Sequence, residues 1–280
     1  VSDEPTTPAP VASNAASAVL LTVAYEGGGF SGYALQRDAR TIAGVLGEAI
    51  ASVQGDRPTL RGVSRTDAGV HARGQRVAFD ATRPLEPRSW VLGLNGRLPS
   101  DLAVRAAVRV PAGYDPRGHV VSKRYRYSLL LDRVRDPMIE GRVWRIERAL
   151  DLGRLRGEAE ALLGTHDFRA FRSAADERTM TTRTIDRCAL EVDDEHAPRR
   201  VDLVVEGKAF MHNMVRIIAG TLVDVARGRL PEGTVRDAFE HGDRRRLGMT
   251  APAFGLCLEH VELRVPEIEP NVPAEQLRWP

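Results

Sequence analysis

The stretch Gly62–His71, GVSRTDAGVH, holds one carboxylate, Asp67, two residues after Arg65 and two before Gly69. These residue types suit a reactive centre. A carboxylate can attack carbon or take a proton, and a neighbouring guanidinium can pair with it or grip a phosphate. Ala68 and Gly69 leave room for a ligand to approach the backbone closely. The same residues also suit an Asx-type turn in a long hairpin, with Asp67 bonded to its own backbone. Local composition leaves both readings open.

Two other stretches offer partners. In SKRYRYSLL, Lys123, Tyr125, Tyr127 and Leu129 share one face of a strand and Arg124 and Arg126 the other. Tyrosines beside basic residues can stack on bases and bond phosphates, or simply pack half-buried against helices. In AFMHNMVRIIAG, Phe210, Met214, Ile217, Thr221 and Val225 form a core stripe. Asn213, Arg216 and Gly220 fall outside it, so Arg216 is expected to face away from the core. His71, His119, His166, His196, His212, His241 and His260 are scattered, with no HExxH, HxH or Cys/His cluster at ligand spacing. No Walker loop, strand-borne GxGxxG or GxSxG occurs. The expectation is chemistry without a metal or cofactor.

The elements that must hold these residues follow from periodicity. Strands are expected at Val19–Tyr25, Arg57–Ser64, Gln75–Ala81 and Leu102–Val110, with helices at Thr41–Val53 and Pro87–Leu94. The order β-α-β-β-α-β then repeats. Strands are expected at Val121–Leu131, Arg183–Val192, Arg200–Glu206 and Gly255–Leu263, and helices at Asp151–Leu163, Ala209–Ala226 and Glu232–Phe239. Each half reads as a split β-α-β unit of the ferredoxin-like kind. The expected fold is α+β: two pseudo-symmetric halves, a central, largely antiparallel sheet and a cleft between the halves. Residues 19–110 form the half with Asp67 and residues 111–264 the half with Tyr125 and Arg216. Residues 1–18 and 265–280, small, polar and proline-bearing, are expected to be disordered tails.

Composition bounds the class. The 280 residues include 40 basic and 38 acidic side chains, a formal charge of +2, which argues neither for nor against nucleic acid. All the basic residues except Lys123 and Lys208 are arginines, which suits phosphate recognition but also follows from a GC-rich coding bias. Cys188 and Cys257 form no CxxC pair and read as buried, reduced thiols. No apolar run approaches bilayer length and no signal pattern opens the chain, so a cytoplasmic protein is expected.

Together the motifs are more specific than singly. RTDAGVHA (Arg65–Ala72) followed by Gly74 and Gln75 resembles the catalytic motif of the tRNA pseudouridine synthase A family. YEGGGFSGY (Tyr25–Tyr33), Leu94, Asn95, Leu98 and Pro99, KRYRY (Lys123–Tyr127), GTHDF (Gly164–Phe168) and FMHNMVR (Phe210–Arg216) are also similar, in family order, over about residues 19–264. The chain departs from the pattern at Tyr33, where a tryptophan followed by glutamine is usual, at Ser64 in place of glycine, and across Arg172–Thr184.

The resemblance implies an isomerase that breaks the N-glycosidic bond of uridine, turns the uracil and rejoins C5 to ribose C1′. It implies Asp67 as nucleophile or base, Tyr125 as the tyrosine on the target base, Arg216 as the basic partner of the aspartate and Arg65 as the residue beside the extruded nucleotide. It also implies a tRNA substrate modified at positions 38 to 40 (tRNA numbering) of the anticodon stem-loop, no cofactor, and a homodimer with shared basic clefts. Arg244, Arg245 and Arg246, with Arg227 and Arg229, are candidate phosphate contacts or a solvated charge run. Two rivals are a catalytically silent RNA-binding protein on the same scaffold and a metal-dependent ribonuclease. The first would give no product, and the second would shorten its RNA and fail in chelator.

Overall fold

The computed structural model describes residues 17–173, 176, 179–194, 196 and 199–264. Apart from Ser17 and Ala18, the expected tails lie outside these residues. The first half of the chain forms β1 (Ser17–Tyr25), α1 (Ile42–Gln54), β2 (Arg61–Gly62), β3 (His71–Ala81), α2 (Pro87–Asn95) and β4 (Leu102–Val110). The second forms β5 (Val120–Leu131), β6 (Trp144–Ile146), α3 (Leu152–Glu160), β7 (Gly164–Asp167), β8 (Thr182–Ile185), β9 (Arg187–Val192), β10 (Arg200–Gly207), α4 (Met214–Ala226), α5 (Thr234–His241) and β11 (Leu256–Leu263).

Among the described residues these elements build a mixed α/β body around a mostly antiparallel nine-stranded sheet. Its order is β4-β1-β3-β11-β5-β10-β9, with β2 beside β3 and β6 beside β5. β7 and β8 pair separately. The halves meet where β3 and β11 run parallel, His71 opposite Cys257 and Ala72 opposite Leu258.

Alternation explains how the sheet takes its helices. Val19, Leu21, Val23 and Tyr25 of β1 point into the main core with Phe79 and Trp90, whose rings meet edge to face at 5.1 Å. Ala18 and Leu20 face the other way, into a smaller cluster with Ala78, Val108, Val110 and Tyr114. The helices carry legible ends. The Thr41 side chain accepts from Gly44 N–H at the start of α1, Gly55 closes it at φ 98°, and Pro87 opens α2.

Several boundaries differ from the periodic reading, each for a local reason. β1 begins at Ser17, which pairs with Ala81. β2 shrinks to two residues because only Arg61 and Gly62 find ladder partners on β3. β3 starts at His71, because the seam with β11 recruits its first residues. The strand expected over Arg183–Val192 divides at Asp186, so β8 pairs with β7 and β9 with β10. The short pieces β6 and β7 carry too few residues to show a period. α4 starts five residues late: Asn213 sits at φ 61°, a left-handed conformation that precedes the helix instead of continuing it. The Pro111–His119 connection is packed down, with Tyr114 buried, its carbonyl accepting from Arg61 Nε at 2.8 Å, and Gly113 N–H donating to Asp80.

Candidate active site

The loop from β2 to β3 is held along its length by side chains the sequence places around it. Buried Gln75 grips Ser64 from both sides: its Oε1 accepts from Ser64 N–H at 3.2 Å and its Nε2 donates to the Ser64 carbonyl. The Thr66 hydroxyl meets the Tyr25 hydroxyl at 2.7 Å, and the Thr66 carbonyl accepts from Tyr33 N–H at 3.0 Å. Asp67 to Val70 then close a turn, Val70 N–H donating to the Asp67 carbonyl at 3.1 Å. Gly69 takes φ 81°, which a side chain would disfavour. Gly27 backs directly onto this turn, and a Cβ there would lie 2.1 Å from the Val70 carbonyl oxygen. The turn is closed by the Asp67 backbone carbonyl and not by an Asx-type bond from its carboxylate, whose oxygens face Arg216 and His212.

His71 fastens the end of the loop. Its Nδ1 accepts from Gly27 N–H at 3.0 Å, so Nε2 carries the proton and donates to the carbonyls of Phe254 at 2.9 Å and Gly141 at 3.0 Å. The histidine of the RTDAGVHA stretch is thus a fastener between the two halves.

The Asp67 side chain, 24% exposed, points into a cleft of about 990 Å³ lined from both halves. Ser31 to Ala34, Gln36, Gly62 to Ala68 and Val70 contribute from one half, and Arg117, Lys123, Tyr125, Phe210 to Val215 and Leu256 from the other. Arg216, in the first turn of α4, donates from Nη1 to Asp67 Oδ2 at 3.4 Å. The same Nη1 donates to Asn213 Oδ1 at 2.7 Å, and Nε donates to the Ala251 carbonyl at 2.8 Å. Arg216 does not project into solvent as its place outside the core stripe suggested. Its face of α4 packs on the 249–251 segment, and a Cβ on Gly220 would lie 1.8 Å from the Met249 carbonyl oxygen.

Tyr125 forms part of the cleft wall, its ring edge to face with Phe210 at 5.1 Å. Burial pushes its phenol up to about 12, and the Asp67 charge adds to the rise, so the hydroxyl stays protonated at neutral pH. Tyr127 is elsewhere, donating to the Pro252 carbonyl at 2.8 Å. Arg65 lies exposed on the cleft rim with no hydrogen bond or ion pair among the described residues. Tyr33 and Ser64, the departures from the family pattern, are both buried in the wall, Tyr33 lying over Gly62.

Asp67, Tyr125, Arg216 and Arg65 therefore come together. The other arginine candidates do not line this cleft. Arg245 is engaged with Asp243, Arg246 with Asp237 and Arg229 with Asp224, while Arg244 donates to Thr250 Oγ1 and the Leu247 carbonyl. The guanidinium of Arg227 lies over Trp144. Reading residues in sequence missed His212, whose Nε2 lies 3.2 Å from Asp67 Oδ1. The signal was its place in FMHNMVR, four residues before Arg216. Among the described residues no group of three or more His, Cys, Asp or Glu could hold a metal ion, and no helix is long and apolar enough to cross a membrane.

Residues 159–263 match the family model described as tRNA pseudouridine synthase. A tRNA pseudouridine synthase A of Citrifermentans bemidjiense is 39% identical over 244 residues, covering 87% of this chain and 96% of that protein. Another of the same name from Myxococcus xanthus is 42% identical over 87% of this chain and 91% of its own. One from Geobacter sp. (strain M21) is 38% identical over 87% and 97%. A solved Cbf5-Nop10-Gar1 complex overlaps 74% of this chain and 54% of that one at TM-score 0.32 and 11% identity, a likeness too slight to bear on the fold. With identities near 40% along nearly the full length of its relatives, this chain belongs to the tRNA pseudouridine synthase A family.

Proposed function

We propose that the protein isomerises uridine to pseudouridine in tRNA, at positions 38 to 40 of the anticodon stem-loop, with Asp67 as the catalytic carboxylate. The observation that carries this reading is the placement of Asp67: a carboxylate on a rigid turn, aimed into a nucleotide-sized cleft and partnered by Arg216. Relatives named tRNA pseudouridine synthase A supply the substrate class.

The reaction breaks N1–C1′ and forms C5–C1′, C5 giving up its hydrogen and N1 gaining one, so no electrons need an outside donor or acceptor. A carboxylate serves it as nucleophile toward C1′ or C6 or as base toward C2′, and each role needs contact with the nucleoside. Arg216 directs a charge-assisted hydrogen bond at Oδ2, and the carboxylate, with His212 beside Oδ1, borders the cleft. The Tyr125 ring offers a surface for the uracil, and its neutral hydroxyl offers a donor. Arg65, uncommitted among the described residues, is placed to contact the flipped nucleotide and help offset the few kcal/mol of unstacking.

Strand order supports reading the halves as duplicated ferredoxin-like units. β4-β1-β3-β2 and β11-β5-β10-β9 both place their strands fourth, first, third, second when the short β6 to β8 are set aside. The family resemblance supports a cytoplasmic homodimer, which sedimentation at micromolar concentration would test. The function itself is tested by site-resolved pseudouridine mapping on unmodified tRNA transcripts. Asp67→Asn is expected to drop product below detection while the protein folds and binds tRNA. Full activity in that variant would overturn the assignment.

A further inference from the structure

His212 lies within the FMHNMVR stretch but was given no role there, yet it lies closer to the Asp67 carboxylate than Arg216 does. Its Nε2 is 3.2 Å from Oδ1, against 3.4 Å from Arg216 Nη1 to Oδ2. Among the described residues no other group pairs with Oδ1. Arg216 is also divided in its commitments, its shorter hydrogen bonds going to Asn213 and the Ala251 carbonyl. A guanidinium so tethered holds Oδ2 only through a long 3.4 Å contact, which restrains rotation of the carboxylate about its Cβ–Cγ bond weakly.

The backbone around His212 is built to present this ring. Its N–H donates to Asp176 Oδ2 at 2.9 Å, and its carbonyl accepts from Ser173 N–H at 3.1 Å. The left-handed Asn213 then turns the chain into α4, so His212 and Arg216 arrive on opposite oxygens of one carboxylate. The ring is 41% exposed at the cleft, open enough to move with an incoming nucleotide. Catalytic contacts commonly stand long or poorly aligned without substrate and tighten on binding.

We propose that His212 is a positioning residue for the isomerisation: it donates Nε2–H to Asp67 Oδ1 in the substrate complex and fixes the carboxylate plane that Arg216 alone leaves loose. This rests on the reading of Asp67 as the catalytic carboxylate. Positioning of this kind acts on the rate of the chemical step, with little effect on tRNA affinity.

The test is single-turnover pseudouridine formation at saturating enzyme, with tRNA Kd by filter binding and thermal melts, for H212A, H212N, H212Q and D67N. A Gln amide can reach the place of Nε2, whereas Asn falls short of it. H212A and H212N are expected to slow the step by about 10- to 100-fold, the factor that one hydrogen bond to a charged group carries. Their Kd should change by less than about 2-fold, and H212Q should return to within about 3-fold of wild type. If H212A fails to fold, H212N serves as the deletion. Wild-type rates in H212A or H212N with D67N inactive would overturn the role of His212 and leave Asp67 standing. So would rescue by Asn as complete as by Gln, or a loss confined to Kd. A wild-type rate in D67N would overturn the reading of Asp67 itself.

Discussion

Arg65 and Arg245 are both exposed arginines, and what separates them is whether the fork is already spoken for. Arg245 is closed onto Asp243, with Nη2 at 2.8 Å and Nε at 3.0 Å, and a phosphate would have to displace that carboxylate. Arg65 has no such partner among the described residues and opens onto the cleft. Arg65→Ala is therefore expected to weaken tRNA binding and to lower the slope of log K against log salt by about 1, the signature of one lost phosphate contact. Arg245→Ala should leave slope and affinity unchanged within error. Filter binding across a salt series separates the two. Tyr125→Phe keeps the ring and removes a hydroxyl held protonated by burial. Its product formation should fall while tRNA Kd holds, and an unchanged rate would leave the ring alone as the working part.

At the scale of elements, the Asp67 turn depends on how closely the Gly27–Gly29 turn backs onto it. Gly27→Ala sets a methyl 2.1 Å from the Val70 carbonyl oxygen, so one of the two backbones has to move. Overpacking of this kind costs on the order of 1–3 kcal/mol. Here it should also displace Asp67, giving a lower midpoint in urea and a larger loss of rate than of tRNA affinity. The long, periodic elements were legible in sequence: α1 and β5 stand close to where their apolar spacing put them. The RTDAGVHA and FMHNMVR stretches, far apart in sequence, meet at one cleft. What could not be read was set by single backbone angles and non-local pairing. One left-handed Asn213 moves the start of α4 and turns His212 toward Asp67. The face of α4 with Arg216 looked solvent-exposed because its cover, residues 249–251, lies over thirty positions further along the chain.

For the molecule as a whole, burial also sets its behaviour in alkali. All five tyrosines, Tyr25, Tyr33, Tyr114, Tyr125 and Tyr127, have phenols pushed up from the ordinary value of 10.0, chiefly by burial. Below pH 10 both folded and unfolded chains keep these protons. Above it the unfolded chain releases them while the native one holds on, so stability falls as pH rises from 10 through about 12, the Tyr125 value. Denaturant midpoints should drop as pH rises above 10, with the thiols of Cys188 and Cys257, also pushed up by burial, adding to the fall from about pH 9. Phenolate absorbance should appear together with loss of helical circular dichroism; a phenolate titrating near pH 10 in the folded protein would contradict the packing.

The seam between β3 and β11 pairs the last strand among the described residues with the strand that follows the Asp67 turn, and His71 bonds to carbonyls at positions 141 and 254. Asp67 precedes both Arg216 and β11 in the chain, with most of the described second half between them. A fragment ending with β10 would hold Asp67 with neither Arg216 nor His212 beside it. Under the role proposed for Asp67, such a fragment is expected to leave tRNA unmodified even where its turn forms.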